Sequence, residues 1–185
     1  MSWTRRKSTT VRPERPEDRD TVRRLTTAAF GGARVPALVD SLRESATWLD
    51  LAFVAERDDA VVGAISFVRG WLDAPSRIFD VLVLSPLAVH PERQRCGIGT
   101  QLVQETMPTL EDRREALVFV EGSPGYYSRL GFVAGEDLRF TAPSTRIPKH
   151  AFQVATLHGY EQDLMHGALV YPDAFWQHGC VGHPD

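Results

Sequence analysis

Between residues 16 and 42 the apolar positions fall three and four apart. Val22, Leu25 and Ala29 share one helical face, and Leu38 and Leu42 mark a second, shorter helix after Pro36. Pro16-Glu17-Asp18 puts acidic residues into the first turn, where the helix dipole favours them, and Gly31-Gly32 divides the two helices. Ahead of them, residues 9–11 read as a short strand ended by Pro13. Beyond residue 50 the pattern becomes extended. Residues 51–56 and 61–68 are apolar, β-branched runs joined by Arg57-Asp58-Asp59-Ala60, a hairpin signal. Residues 79–89 are almost wholly apolar, which predicts a central strand buried on both faces. A helix carrying Ile98, Leu102 and Val103 follows; Pro108 ends it, because proline cannot donate to the carbonyl of Gln104. Residues 116–120 read as another buried strand and 126–130 as a short helix closed by Gly131, with Phe132-Val133 starting a further strand. Residues 152–157 alternate like a strand, and 171–176 form an aromatic-rich terminal segment. The pattern predicts an α/β fold, a mixed sheet with helices on both faces.

Composition changes this picture little. The 185 residues are 43% hydrophobic and 24% charged, enough for one core, without repeats or linkers. A single domain over 9–177 is expected, with a flexible N-terminal tail at 1–8 and a C-terminal tail at 178–185. No apolar run approaches the roughly 18 residues a membrane helix needs. The basic start, with Arg5, Arg6 and Lys7, lacks the apolar stretch of a signal peptide, so a cytoplasmic protein is expected. Cys96 and Cys180 fit a reducing compartment. A net charge of -3, from 21 basic and 24 acidic residues, argues against nucleic acid as a partner. The last 36 residues hold no Lys or Arg, but do hold Glu161, Asp163, Asp173 and Asp185 and five histidines.

The chemistry concentrates in Pro86-Leu-Ala-Val-His-Pro-Glu-Arg-Gln-Arg-Cys-Gly-Ile-Gly-Thr-Gln-Leu-Val103, where a buried strand runs through a basic loop into a helix. Gly97 and Gly99 leave room for close approach, so successive backbone N–H groups at the helix start can point at phosphate oxygens. Arg93 and Arg95 add charge at the mouth. Two glycines cost about 1 kcal/mol each against alanine in a helix turn, so a plain helix start has little use for them. A dinucleotide-binding turn fails, because Leu102 stands at the third glycine position and seven residues separate Val89 from Gly97. A P-loop fails because no lysine follows either glycine. What remains is the pattern [QR]-x-x-G-x-[GA], written Gln94-Arg95-Cys96-Gly97-Ile98-Gly99.

With these residues the chain resembles the GNAT superfamily of acetyl-CoA-dependent N-acetyltransferases, over nearly its whole length. PLAVHPERQRCGIGTQLV looks like that family's fourth strand, pyrophosphate loop and following helix. Gly122-Ser-Pro-Gly-Tyr-Tyr-Ser-Arg-Leu-Gly-Phe132 is similar to its Y-x-x-x-G-F signature, and Gly167-Ala-Leu-Val-Tyr-Pro-Asp-Ala-Phe175, with the doubled tyrosine, looks like the YhbS-like branch. The resemblance implies a GNAT-type, mostly antiparallel sheet and acetyl-CoA as co-substrate, with no metal. It implies a pantetheine arm along the strand through Leu87, Ala88 and Val89, with Gln94 and the amides of Arg95, Cys96, Gly97, Ile98, Gly99 and Thr100 around the pyrophosphate. Tyr127, four residues before Gly131, matches the tyrosine that protonates the departing thiolate, and the Val89 amide would stabilise the developing oxyanion. The amine attacks directly, without a covalent intermediate. Glu121 is the nearest base candidate at a strand end, and Asp80 another.

Plainer readings stand beside these. Tyr126 reads as packing or substrate wall, and Cys96 as an incidental small residue, since no histidine is spaced as its partner. The histidines form no ligand pair of metal-binding spacing. Glu121-Gly-Ser-Pro-Gly125 approaches the esterase elbow, but Glu121 replaces its first glycine and Pro124 lacks the needed N–H. A degenerate CoA-sensing or interaction module is the non-enzyme alternative. Ser123 stands where relatives often carry an acidic residue. The acidic C-terminal segment suggests a cationic small-molecule amine as acceptor, recognised by Glu161 and Asp163, and a monomer or homodimer is expected.

Overall fold

The computed structural model describes residues 8–182. The predicted tail at 1–8, with Arg5, Arg6 and Lys7, therefore lies outside the described residues apart from Ser8, as do residues 183–185. Strand β1 (Thr10–Pro13) leads into helix α1 (Arg19–Phe30) and helix α2 (Arg34–Arg43). Gly31, at φ 68°, ends α1 in the left-handed conformation that glycine adopts without a Cβ penalty. Strands β2 (Trp48–Arg57) and β3 (Ala60–Asp73) form the predicted hairpin, with Asp58 and Asp59 both at positive φ as a tight turn requires. The long strand is β4 (Ile78–Val89), and helix α3 (Ile98–Thr106) gives way to a 3-10 turn at Met107–Leu110, where Pro108 sits. Then come β5 (Leu117–Glu121), α4 (Pro124–Tyr127), β6 (Val133–Ala134), β7 (Phe140–Thr141), β8 (Phe152–Thr156), β9 (Gly167–Val170) and α5 (Asp173–Gln177).

The strands join in the order β1-β2-β3-β4-β5-β8-β6, with β9 beside the far end of β3 and β7 beside β9. Pairing is antiparallel except for β4 with β5 and β7 with β9. Side-chain alternation distributes the helices over both faces. Val22 and Leu25 of α1 pack on Val54, Ala64 and Ala88, whereas Ile98 and Leu102 of α3 lie over Ala55 and Gly63 on the other side. Packing continues past the expected boundary at 177. His178 Nε2 is 2.7 Å from Ser41 Oγ, and Val181 is buried in the core.

The start of the sheet is fixed by charge. Arg12 donates to Asp18 at 2.6 Å and to Glu56 at 2.8 Å, and the Arg15 N–H donates to Asp18 at 2.8 Å. Arg12 holds the Asp18 carboxyl below its ordinary range. The Asp18 contribution is therefore present above the unfolded carboxylate value of about 3.9 and is lost as pH falls through the lower folded value. Asp18→Asn is expected to cost about 2–3 kcal/mol at neutral pH. Chemical denaturation at neutral pH should show that loss, and the gap to wild type should close on acidification.

Candidate active site

The site is created by two strands that part. Parallel pairing of β4 with β5 covers only Leu82 with Val118 and Val83 with Phe119. Directly beyond it, Ser85 and Pro86 together oppose Ser66 of β3, a bulge whose Ser85 carbonyl accepts from Ser66 Oγ at 2.8 Å. A bulge bends its strand and interrupts the ladder. The rest of β4 runs on to Val89 with β3 on one side and, among the described residues, no strand on the other.

The antiparallel register decides which groups face that open edge. His90 donates to the Val62 carbonyl at 2.9 Å, so alternation turns Ala88 toward β3 as well and leaves Leu87 and Val89 pointing away from it. Ala88 itself is buried against α1 and offers the edge nothing. Gln94 Nε2 donates to the Val89 carbonyl at 3.1 Å, tying the loop back to the strand.

The loop then reverses hand. Arg95 at φ 59° and Gly97 at φ 84° are left-handed, an arrangement that gathers backbone N–H groups into a concave, anion-attracting turn at the start of α3. Arg93, Arg95 and Cys96 are exposed there. Gly99 faces inward: a Cβ built on it would lie 2.8 Å from Tyr126 Oη, 3.6 Å from Val89 and 3.8 Å from Leu87. Among the described residues the Tyr126 hydroxyl is buried without a well-formed hydrogen bond, with the Thr100 side chain beside it. Burial raises its pKa. An orphaned phenol, a side-chain-free position and a row of helix-start amides thus converge on one end of the open strand edge, a donor set that suits a phosphate ester.

Tyr127 follows on α4, 8% exposed. Its ring sits so close to Gly122 that a Cβ there would meet a ring carbon at 2.4 Å. It packs edge-to-face on Tyr126 at 4.9 Å and on Phe132 at 5.3 Å. Burial pushes its phenol well above the ordinary tyrosine value. On the opposite face of the sheet a cleft of about 640 Å³ is lined by residues 85–87 of β4, by Glu121 and Ser123 at the end of β5, and by α1, α2 and α5. Glu121 Oε2 accepts the Gly182 N–H at 3.3 Å.

The other candidates part from the site. Asp80, exposed, pairs with Arg69 at 3.5 Å near the start of β4 and does not line the cleft. Glu161 and Asp163 are exposed and do not line the cleft either, Asp163 lying 3.8 Å from Arg139. Phe30, Val35, Leu38, Tyr171 and Phe175 also line the cleft, a placement that no sequence signal gave for any of them; Tyr171 and Phe175, four residues apart, stack at 4.5 Å. Among the described residues, no three His, Cys, Asp or Glu are grouped to hold a metal, and no helix is long and apolar enough to cross a membrane.

Comparison with known proteins places this geometry. The acetyltransferase (GNAT) domain family matches residues 49–134. The N-acetyltransferase YhbS of Escherichia coli K12, itself uncharacterized, is 32% identical over 160 residues, covering 85% of this chain and 90% of that one. The chain belongs to the GNAT acetyltransferase family. A second relative from the same strain, the uncharacterized N-acetyltransferase YjhQ, is 35% identical over 120 residues, 62% of this chain and 64% of its own. The crystal structure of E. coli YhbS in complex with CoA superposes with a TM-score of 0.87 at 26% identity, covering 99% of this chain and 100% of that one. A GNAT acetyltransferase from Brucella melitensis in complex with acetyl-CoA gives a TM-score of 0.72 at 29% identity, covering 91% and 98%. The mixed, mostly antiparallel GNAT sheet expected from the sequence is the one observed.

Proposed function

We propose that this protein transfers the acetyl group of acetyl-CoA to a primary amine by direct attack within a ternary complex. The observation that carries the reading is the unpaired edge of β4, Leu87 and Val89, running into the glycine-containing start of α3. Two relatives of the same fold hold CoA and acetyl-CoA. In this chain the Leu87 and Val89 edge would pair with the amide-bearing pantetheine arm as an added strand would. The amides from Arg95 to Thr100 would hold the diphosphate, and the Tyr126 hydroxyl would gain there the partner it lacks. Acetyl-CoA supplies an activated thioester; the chain supplies position, dryness and a proton.

The amine nitrogen forms a bond to the acetyl carbon, a main-chain amide of the open β4 edge stabilises the developing oxyanion, and the carbon–sulfur bond breaks with its electron pair on sulfur. Tyr127 gives its phenolic proton to that sulfur, and the proton released by the amine, taken up by Glu121 or solvent, restores the phenol through water. Raised by burial, the phenol stays protonated until the thiolate needs it.

The test is thiol release from acetyl-CoA in the presence of a panel of primary amines. Amine-dependent release with an equal yield of acetylated amine is expected. CoA binding with no release for any amine would favour a CoA-sensing module instead, and acetate-ester hydrolysis without CoA would revive esterase chemistry.

A further inference from the structure

Resting on the reading of Tyr127 as the acid, we propose that Gln153 is a positioning residue for the reaction: its buried side-chain amide fixes the Gly122 peptide against which the Tyr127 ring lies. Gln153 stands directly opposite Val120 in the ladder of β5 and β8, and Ala155 follows two residues on. Val120 and Ala155 belong to the apolar layer that also holds Tyr127 and Phe132, so alternation turns Gln153 into that layer. A buried amide among aliphatic and aromatic side chains is unfavourable unless it is bonded, and an apolar residue of similar size would avoid the cost. Its donor goes to the site. Gln153 Nε2 donates to the Gly122 carbonyl at 3.1 Å, where β5 has ended and the chain turns into α4.

Two routes lead from that bond to Tyr127. The first is direct contact. Gly122 is held at its carbonyl by Gln153 and at its N–H by the Ala151 carbonyl, 2.9 Å away, and a Cβ built on it would meet carbons of the Tyr127 ring at 2.4 and 3.0 Å. With Phe132 packed edge-to-face on the same ring, the phenol has little freedom to shift while Gly122 stays in place. The second route runs along the chain. The Gly122 peptide leads into Ser123, whose carbonyl accepts the N–H groups of Tyr126 and Tyr127, each at 3.1 Å. Helix α4 is four residues long, too short to hold a direction of its own, so it inherits one from this turn. A proton donor that must meet a sulfur atom tolerates little displacement; about 1 Å can cost 10²-fold in rate.

Gln153→Met keeps the length of the side chain and removes the donor. In steady-state thiol release with the full chain it is expected to lower kcat at least about tenfold and to leave KM for acetyl-CoA unchanged, because the open edge of β4 and the turn at Gly97 are untouched. The deciding measurement is the cycle with Tyr127→Phe. Once the acid is gone its position no longer matters, so adding Gln153→Met is expected to make no further difference to kcat. Gly122→Ala, at a residue without positive φ, retains the amide and displaces the ring instead; it is expected to give the same pattern, and it carries the test should the change at 153 prevent folding. An equal proportional loss with and without the Tyr127 hydroxyl, or no loss of kcat, would overturn the positioning role and leave the acid role of Tyr127 intact. Full activity in Tyr127→Phe alone, or no release with any amine, would overturn both.

Discussion

Replacing Tyr127 by phenylalanine is expected to lower kcat by about 10²- to 10³-fold, the size that removal of a positioned acid produces. The ring stays, and with it the edge-to-face packing on Tyr126 and Phe132. Thermal stability and KM for acetyl-CoA should therefore change little, which separates lost chemistry from lost folding or binding. The pH dependence adds a second check. Burial raises the Tyr127 phenol above the usual tyrosine value of about 10, so the wild-type proton is present across an ordinary assay range and the deficit should be the same at about pH 6 and about pH 9. Full activity in Tyr127→Phe would assign the proton to another group.

Gly99→Val is expected to weaken CoA binding by at least about 100-fold, or about 2.7 kcal/mol. The added Cβ arrives 2.8 Å from the Tyr126 hydroxyl, and the branched methyls spread toward Val89 and Leu87, into the space the coenzyme would use. The backbone does not resist the change, because Gly99 is not among the glycines at positive φ. Unfolding should shift only modestly. A smaller pair makes the cause visible: Gly99→Ala collides with the Tyr126 hydroxyl alone, so adding Tyr126→Phe should recover part of the affinity. Calorimetric titration with CoA reads all four proteins. Unchanged affinity in Gly99→Val would mean that the coenzyme does not pass this turn.

Much of this was legible before any coordinates. The buried strand, the loop with two glycines and the following helix are local features, each written in adjacent residues by hydrophobic period and glycine placement. The hairpin at Asp58-Asp59 and the end of α3 at Pro108 belong to the same class. The short strands β7 and β9 did not show themselves, since two and four residues are too few to display a period and their pairing depends on distant partners. The placement of charge was likewise hidden. Glu161 and Asp163 gave the C-terminal segment an acidic look, but density along the chain does not say which way a loop faces, and theirs faces solvent away from the cleft. Burial of Val181 is set by tertiary packing that no local signal announced. The doubled tyrosine was seen, but not that Tyr126 would bring its hydroxyl to Gly99 while Tyr127 took the buried position; adjacent helical residues differ by about 100° in direction, and only packing fixes the phase.

A crystal structure of the protein grown with CoA is the most direct trial. Diphosphate oxygens are expected within hydrogen-bonding distance of the main-chain N–H groups between Arg95 and Thr100, with the pantetheine arm against Leu87 and Val89. A coenzyme bound elsewhere, with the turn at Gly97 and Gly99 making no contact to it, would contradict the proposed function at its root.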